Sequence, residues 1–315
     1  MKCHQNKQFF NEIVKVVAED TGLDASIIEK DYFVSLLLRS IQSFFPDIIF
    51  KGGTSLSKCY HLINRFSEDI DINFKSTIPN SGSNKKKLKQ SIVDAAHEVE
   101  MVLENEDEIK SGLDFNRYKF SYPNKINEEG FPRIIFVETY VRLKSFPSHA
   151  MEVTNYISDY LIKTHDTATL DKYELRPFTI QVQSIERTFV DKVFALCDYS
   201  EAKKYDRNSR HLYDLYMIYR HSDFDRDIIS PLFQRVAEER SKSGRAVSSA
   251  NGYRLSDAVC RIVDENKFKS DYETAKTTQL FFPGTKKISY EKVIENLKEI
   301  SESGLIPIEI RYTYA

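Results

Sequence analysis

Apolar residues recur at helical spacing near the start of the chain. Phe9, Phe10, Ile13, Val14 and Val17 share one face, and Gly22 follows as a stop signal. Asp24 suits the N-cap of a second helix that runs through Leu36, Leu37, Ile41 and Phe44 up to Pro46. The pattern then shortens. Ile48-Ile49-Phe50 reads as a buried strand, Gly52-Gly53 breaks it, and a short helix is expected over Ser55 to Leu62. Asp69 to Phe74 alternates polar and apolar residues, which predicts a strand. Thr77 to Asn84 is turn-rich and predicts a mobile loop, followed by a helix over roughly Lys85 to Asn105. Further strands are predicted around Phe115 to Tyr122, Arg133 to Arg142 and Phe178 to Val182. After Ser184 the periodicity is helical to about Ser303. The expected fold class is α+β, a mixed α/β arrangement. A small mixed sheet with helices occupies residues 1–183, and a mainly helical C-terminal domain occupies 184–315.

Composition narrows the functional classes. The chain has 315 residues, 41% of them hydrophobic and 29% charged, which suits a folded soluble protein of about two domains. A net charge of −2 gives no global attraction for nucleic acid, so an RNA partner needs a local basic patch. No apolar run reaches the ~20 residues needed to span a bilayer. The N-terminal residues lack the apolar stretch of a secretion signal, so a cytoplasmic protein is expected. The four cysteines are scattered, which argues for reduced thiols, and the seven histidines lack metal-ligand spacing.

The candidate chemistry lies between Lys51 and Phe74. Gly52 and Gly53 let the backbone turn sharply and approach a ligand. Thr54 and Ser55 sit where a helix begins, and free N–H groups with the helix dipole favour an anion there, such as the triphosphate of an NTP. Lys58 is a candidate to face those phosphates. Asp69 and Asp71 are two apart on a strand, so both point to one face. A divalent cation offsets their repulsion and suits their oxygens; Mg2+ is expected, with Mn2+ as a substitute. Glu138, an acid in the apolar strand Ile134 to Thr139, is the candidate third metal ligand. Glu68 adjoins the pair, but alternation points it the other way.

These residues resemble the AbiEii family of nucleotidyltransferase toxins, within the polymerase-β-like superfamily. The likeness rests on GGTSLSK (Gly52 to Lys58) and RFSEDIDI (Arg65 to Ile72). It extends to Glu29-Lys30-Asp31-Tyr32-Phe33-Val34 upstream. Downstream it includes Glu186-Arg187-Thr188-Phe189 with Asp191-Lys192, and Arg210-His211-Leu212-Tyr213-Asp214-Leu215-Tyr216. Phe33 stands where the family more often has tryptophan. The resemblance implies a nucleotidyltransferase fold with Asp69 and Asp71 as metal ligands, Lys192 on the NTP phosphates and Asp214 as a further acid of the active site. It also implies a toxin that adds nucleotides to the tRNA 3′ acceptor end, with a winged-helix antitoxin as partner.

Two basic clusters offer independent support for RNA. Lys85, Lys86, Lys87 and Lys89 follow the loop after the catalytic strand. Lys203, Lys204, Arg207 and Arg210 lie close to Tyr205, Tyr213 and Tyr216, aromatic rings that can stack on bases. Two other readings use the same sequence: nucleotidylation of protein hydroxyls by the same site, and a non-catalytic nucleotide-binding or antitoxin-binding module. The intact Asp69, Asp71 and Lys192 argue against the last.

Overall fold

The structure is a computed structural model of the chain. It describes all residues except Phe66, Glu68, 124–131, Phe224, 243–245, 275–280, 282–286 and 313–315. Glu68 therefore lies outside the described residues. The chain divides into two compact units. One comprises Met1–His61 and Ser67–Val182; the other comprises Leu62–Phe66 and Gln183–Ala315. Among the described residues no helix is long and apolar enough to cross a membrane.

The first unit is built on seven strands: β1 (Ile48–Lys51), β2 (Ile70–Phe74), β3 (Val102–Leu103), β4 (Phe115–Ser121), β5 (Ile134–Tyr140), β6 (Ser148–Val153) and β7 (Phe178–Gln183). Their order across the sheet is β3-β4-β5-β2-β1-β7-β6. β2 runs antiparallel to β1 and parallel to β5, so the sheet is mixed. One row of alternate residues is buried: Ile70 and Ile72 on β2, Tyr118 and Phe120 on β4, Ile135 and Val137 on β5. The period of two leaves Asp71, Arg117 and Glu138 on the opposite face.

Helices α1 (Lys7–Thr21), α2 (Ala25–Phe44), α3 (Gly52–Lys58) and α4 (Gly82–Glu98) complete much of this unit, with α5 (Tyr156–Lys163) and α6 (Thr167–Lys172). α1 buries Phe10, Ile13, Val14 and Val17 and ends at Gly22, whose φ of 69° is left-handed. The Asp24 carboxylate caps α2, accepting from the Ser26 N–H at 2.8 Å. α2 packs against α1, α4 and α5, and Phe33 stacks on Tyr122 with ring centroids 4.5 Å apart.

Several elements differ from the sequence expectation, which included neither β6 nor α5 and α6. The helix after β1 starts at Gly52 itself rather than at Ser55, because the glycine's left-handed φ of 80° turns the chain directly into it. α4 starts at Gly82, with the Ser81 hydroxyl accepting from the Asn84 N–H at 3.2 Å, so the expected loop is partly helix. α4 then ends at Glu98, and β3 follows where helix was expected. β3 covers little of β4. The Asn105 side chain covers more of that edge, donating to the Arg117 carbonyl and accepting from the Lys119 N–H, both at 2.9 Å.

The second unit is helical: α7 (Ile185–Glu201), α8 (Arg210–His221), α9 (Arg226–Ser241), α10 (Leu255–Glu265), α11 (Lys269–Glu273) and α12 (Tyr290–Glu302). α7 packs on α8, α9 and α10, and α12 packs on α8 and α10. α12 carries an imperfection. Asn296 is 1% exposed, and among the described residues neither its amide nitrogen nor its oxygen has a hydrogen-bond partner. A buried polar group left unbonded costs about 1–3 kcal/mol. Asn296→Leu, similar in size without the polar atoms, is expected to raise the urea-unfolding midpoint of the chain. An unchanged or lower midpoint would show that the amide is satisfied or the site too tight.

Candidate active site

β2 places the two acids. Asp69 immediately precedes it and Asp71 is its second residue, so the fully buried Ile70 between them anchors the strand while both acids take the other face. Asp71 pairs in register with Lys51 on β1 and with Glu138 on β5, and Glu138 pairs with Arg117 on β4. A transverse row Lys51–Asp71–Glu138–Arg117 therefore crosses four neighbouring strands on one face. Two carboxylates are flanked by two cations.

Gly52 is where the row meets the following helix. A Cβ built on Gly52 would overlap the Asp71 carboxylate, lying only 2.9 Å from its Cγ. The acid thus rests directly on the glycine's Cα, at the point where the chain turns from β1 into α3. A side chain at position 52 would push the carboxylate off, and its φ is also one that L side chains rarely adopt.

The hydroxyls of the helix start are used inside the protein. Thr54, fully buried, donates to the Asp69 carbonyl at 2.5 Å and lies 3.0 Å from the Ser67 hydroxyl. Ser55, also fully buried, donates to the Gly52 carbonyl at 2.9 Å. Both side chains fix the loop that presents Asp69 and the turn that presents Gly52 and Gly53. What α3 offers to a ligand is its first backbone N–H groups.

Lys58 is placed differently from the phosphate-facing position expected. It is 6% exposed, and its ammonium pairs with the Asp31 carboxylate and donates to the Ser35 hydroxyl at 2.8 Å, both on α2. It lies six positions along the helix from Gly52, about 9 Å at ~1.5 Å per residue. It lines a small polar pocket with His61, Thr154, Asn155, Tyr156 and Asp159. A buried pair in which α3 grips α2 is a structural role.

Glu138 also has a protein partner. Its carboxylate pairs with Arg117 at 3.0 Å, and the Arg117 guanidinium lies over the Phe136 ring, 3.9 Å from its centroid. Among the described residues no group of three or more His, Cys, Asp or Glu side chains converges tightly enough to hold a metal ion. The donor set that fits a hard divalent cation is the Asp69–Asp71 pair, with water completing the shell. The contact of Asp71 on Gly52 supports that fit, since the glycine forms a cradle at the strand–helix turn that a Cβ would fill.

The second unit holds the other two expected residues, and holds them together. Asp214 on α8 is fully buried, and its Oδ2 accepts from Lys192 Nζ on α7 at 2.6 Å. Sequence reasoning missed the third member. Arg65, within the unit's Leu62–Phe66 segment, donates from Nε to Oδ1 at 2.8 Å and from Nη2 to Oδ2 at 2.7 Å. Arg65 stood inside a quoted motif. Its only other sequence signal was a cation in an otherwise apolar and polar-neutral stretch.

These contacts set the charge states. Burial alone pushes Asp214 up, but the charges of Arg65 and Lys192 and their hydrogen bonds outweigh it and hold the carboxyl far below the usual range. Burial pulls Lys192 down, against the attraction of Asp214. His211, also on α8, is lowered well below its ordinary value by burial and by Lys192 and Arg210, so it is neutral. Asp214 stays ionised as an acceptor for two cations, which suits holding Lys192 in place better than carrying protons.

The chain matches the family model described as nucleotidyl transferase AbiEii toxin, type IV TA system, over residues 35–296. Among solved structures it is similar to JHP933 from Helicobacter pylori, with 19% identity, 87% of this chain and 91% of that chain covered, and a TM-score of 0.47. It is also similar to MenT4, the nucleotidyltransferase toxin Rv2826c from Mycobacterium tuberculosis H37Rv. There the identity is 16%, the coverage 93% of this chain and 97% of that chain, and the TM-score 0.47. No curated protein sequence matches the chain.

The depressed Asp214 pKa links stability to pH. Its folded value lies below the unfolded one, near 3.9, so its contribution is complete above that value and is lost as pH falls below about 4. Asp214→Asn is expected to cost about 3–5 kcal/mol at neutral pH, because two buried cations lose their anion. It should also flatten the acid limb of the stability curve. Urea-unfolding midpoints between pH 3 and 7 measure both. An acid limb unchanged in the variant would contradict the assignment.

Proposed function

The chain belongs to the AbiEii family of nucleotidyl transferase toxins of type IV toxin–antitoxin systems, and from that premise we propose that it transfers NMP from an NTP to the 3′ end of an RNA, the tRNA acceptor stem, and so blocks translation. Membership of the family gives the coarse facts: the reaction class is nucleotidyl transfer, the substrate an NTP, and the partner an antitoxin. The finer reading adds Mg2+ as the metal, with Mn2+ able to replace it. It adds tRNA as acceptor, a winged-helix antitoxin, abortive infection as the biological setting, and the cytoplasm as location.

The observation that carries the reading is the seating of the Asp71 carboxylate on Gly52, at the turn from β1 into α3. It brings an acid against backbone that a left-handed glycine makes approachable at a strand–helix turn. In this proposal Asp69 and Asp71 hold the divalent ion, with Glu138 able to join them on release from Arg117. The ion supplies neutralisation of phosphate charge. Gly52, Gly53 and the first N–H groups of α3 bind the phosphates, and Thr54 and Ser55 hold that loop in shape. Lys192, steadied by Asp214, adds a fixed positive charge for the phosphate oxygens. Positioning and electrostatics of this kind supply most of the catalysis in phosphoryl-type transfer.

The two basic clusters separate when their contacts are traced. On α4, Lys85 binds Asp114 at 3.0 Å, Lys89 donates to the Ile109 carbonyl at 2.9 Å, and Lys87 lies over the Phe45 ring at 5.5 Å. Lys85 and Lys89 dock the unit's own Ile109–Asp114 loop, and Lys87 lies against the end of α2. Lys203, Lys204 and Arg207 are exposed in the connection between α7 and α8. Its backbone is fixed by Asp271, which accepts from the Arg207 N–H at 2.7 Å and the Ser209 N–H at 3.1 Å. Lys203 and Arg207 have left-handed φ values of 54° and 63°, a conformation that costs each about 1 kcal/mol or more. A rigid loop that projects cations at such a cost favours an RNA backbone as the acceptor's anchor. Tyr205 remains near it for stacking, whereas Tyr213 is buried, its hydroxyl accepting from the Asn64 N–H at 3.0 Å.

Purified protein is to be incubated with each radiolabelled NTP, Mg2+ and total cellular RNA or protein. Label is expected on tRNA-sized RNA. Asp69→Asn and Asp71→Asn should each reduce it about a hundredfold or more, and Gly52→Ala, which displaces the Asp71 carboxylate, at least about tenfold. Label confined to protein bands would replace the RNA acceptor with a protein hydroxyl. Full activity in either aspartate variant would remove the metal-site assignment.

A further inference from the structure

We propose that Arg65 is a positioning residue for Lys192, acting through Asp214, an inference that rests on the nucleotidyl-transfer reading above. The three side chains are bonded to one another and buried inside the second unit: Arg65 is 3% exposed, Asp214 0% and Lys192 7%. A carboxylate held by one bond can rotate about Cβ–Cγ, and any ammonium bound to it then swings with it. Arg65 removes that freedom. Its Nε and Nη2 engage Oδ1 and Oδ2 at 2.8 and 2.7 Å, a planar fork on a planar acid, which fixes the carboxylate plane. With the plane fixed, the remaining lone pair of Oδ2 has one direction, and Lys192 Nζ donates to that oxygen at 2.6 Å.

The backbone around Arg65 is arranged to the same end. The Asn64 N–H donates to the Tyr213 hydroxyl at 3.0 Å, one residue before Asp214, and Arg65 itself forms an antiparallel bridge with Phe281. The arginine is thus held from its main chain as well as its fork, as a part that must aim another group would be. A lysine in its place keeps the charge but offers one point contact instead of two parallel bonds, so the carboxylate plane is released.

A stabilising ion pair and a positioning residue differ in how Arg65 and Lys192 combine. The experiment is a double-mutant cycle of wild type, Arg65→Lys, Lys192→Met and the double variant. It is read by kcat/KM for nucleotide transfer and by thermal midpoint. Arg65→Lys is expected to fold with a midpoint within a few degrees of wild type and to lower kcat/KM about tenfold or more. The double variant should be no worse than Lys192→Met alone, because there is then nothing left to aim. Independent, multiplying losses, or a fall in midpoint with kcat/KM unchanged, would overturn the proposal. If Arg65→Lys does not fold, Arg65→Gln, which retains one amide donor, takes its place in the cycle. The same four proteins are also titrated with ATP. A wild type that binds ATP but transfers nothing counts against the transfer reading, while the binding cycle still decides the role of Arg65. A wild type that neither binds nor transfers overturns both.

Discussion

The register of β2 against its neighbours is the constraint on which the candidate site depends. Side chains on a strand alternate faces, so a slip of one residue would carry Asp69 and Asp71 into the apolar layer and lift Ile70 and Ile72 out of it. The fully buried isoleucines make that slip costly, on the order of 1.5–3 kcal/mol for each side chain returned to water. The hydrophobic effect therefore fixes the electrostatics: the acids occupy their face because their neighbours cannot. Pairing on both sides of β2 then sets which residues they meet, Lys51 from β1 and Glu138 from β5.

Register explains why Gly52 is needed as well as permitted. Lys51 ends β1 opposite Asp71, so the next residue lies where the chain leaves the sheet alongside that acid. Any side chain there competes with the carboxylate for the same space. One glycine thus meets two requirements, the left-handed turn into α3 and the absence of a Cβ beneath an acid. The buried hydroxyl of Thr54 ties the other acid to the same turn through the Asp69 carbonyl, so both acids are referenced to one short helix.

Much of this was legible in the sequence, because periodicity and glycine report local physics. The strand–glycine–helix–strand order, the shared face of Asp69 and Asp71, the Gly22 stop and the Asp24 cap all follow from residues close together in the chain. Partners far apart were not legible. The pairing of Asp31 with Lys58 spans two elements, and nothing in the spacing of GGTSLSK shows that its lysine turns to α2. The fork of Arg65 on Asp214 joins residues 149 positions apart. β3 and β6 were missed for a related reason. Two residues of edge strand, or six half-exposed ones in Ser148–Val153, bury too little to impose a pattern.

Proximity in sequence is a poor guide to which cations are available to a partner, and the two basic clusters show why. A helix repeats its face every three to four residues, so a run of lysines on α4 must distribute round the helix, and those that fall toward the protein are drawn to its carboxylates and carbonyls. Lys85 and Lys89, four apart, share one side and both serve the Ile109–Asp114 loop. A connection between helices has no such periodicity. Its residues can all be turned outward if something else holds the backbone, and in the α7–α8 connection Asp271 does so by accepting main-chain N–H groups, leaving the long side chains out of the bargain. The same division of labour runs through the second unit, where carboxylates hold other groups in place: Asp271 the backbone of the α7–α8 connection, Asp214 the buried cations Arg65 and Lys192.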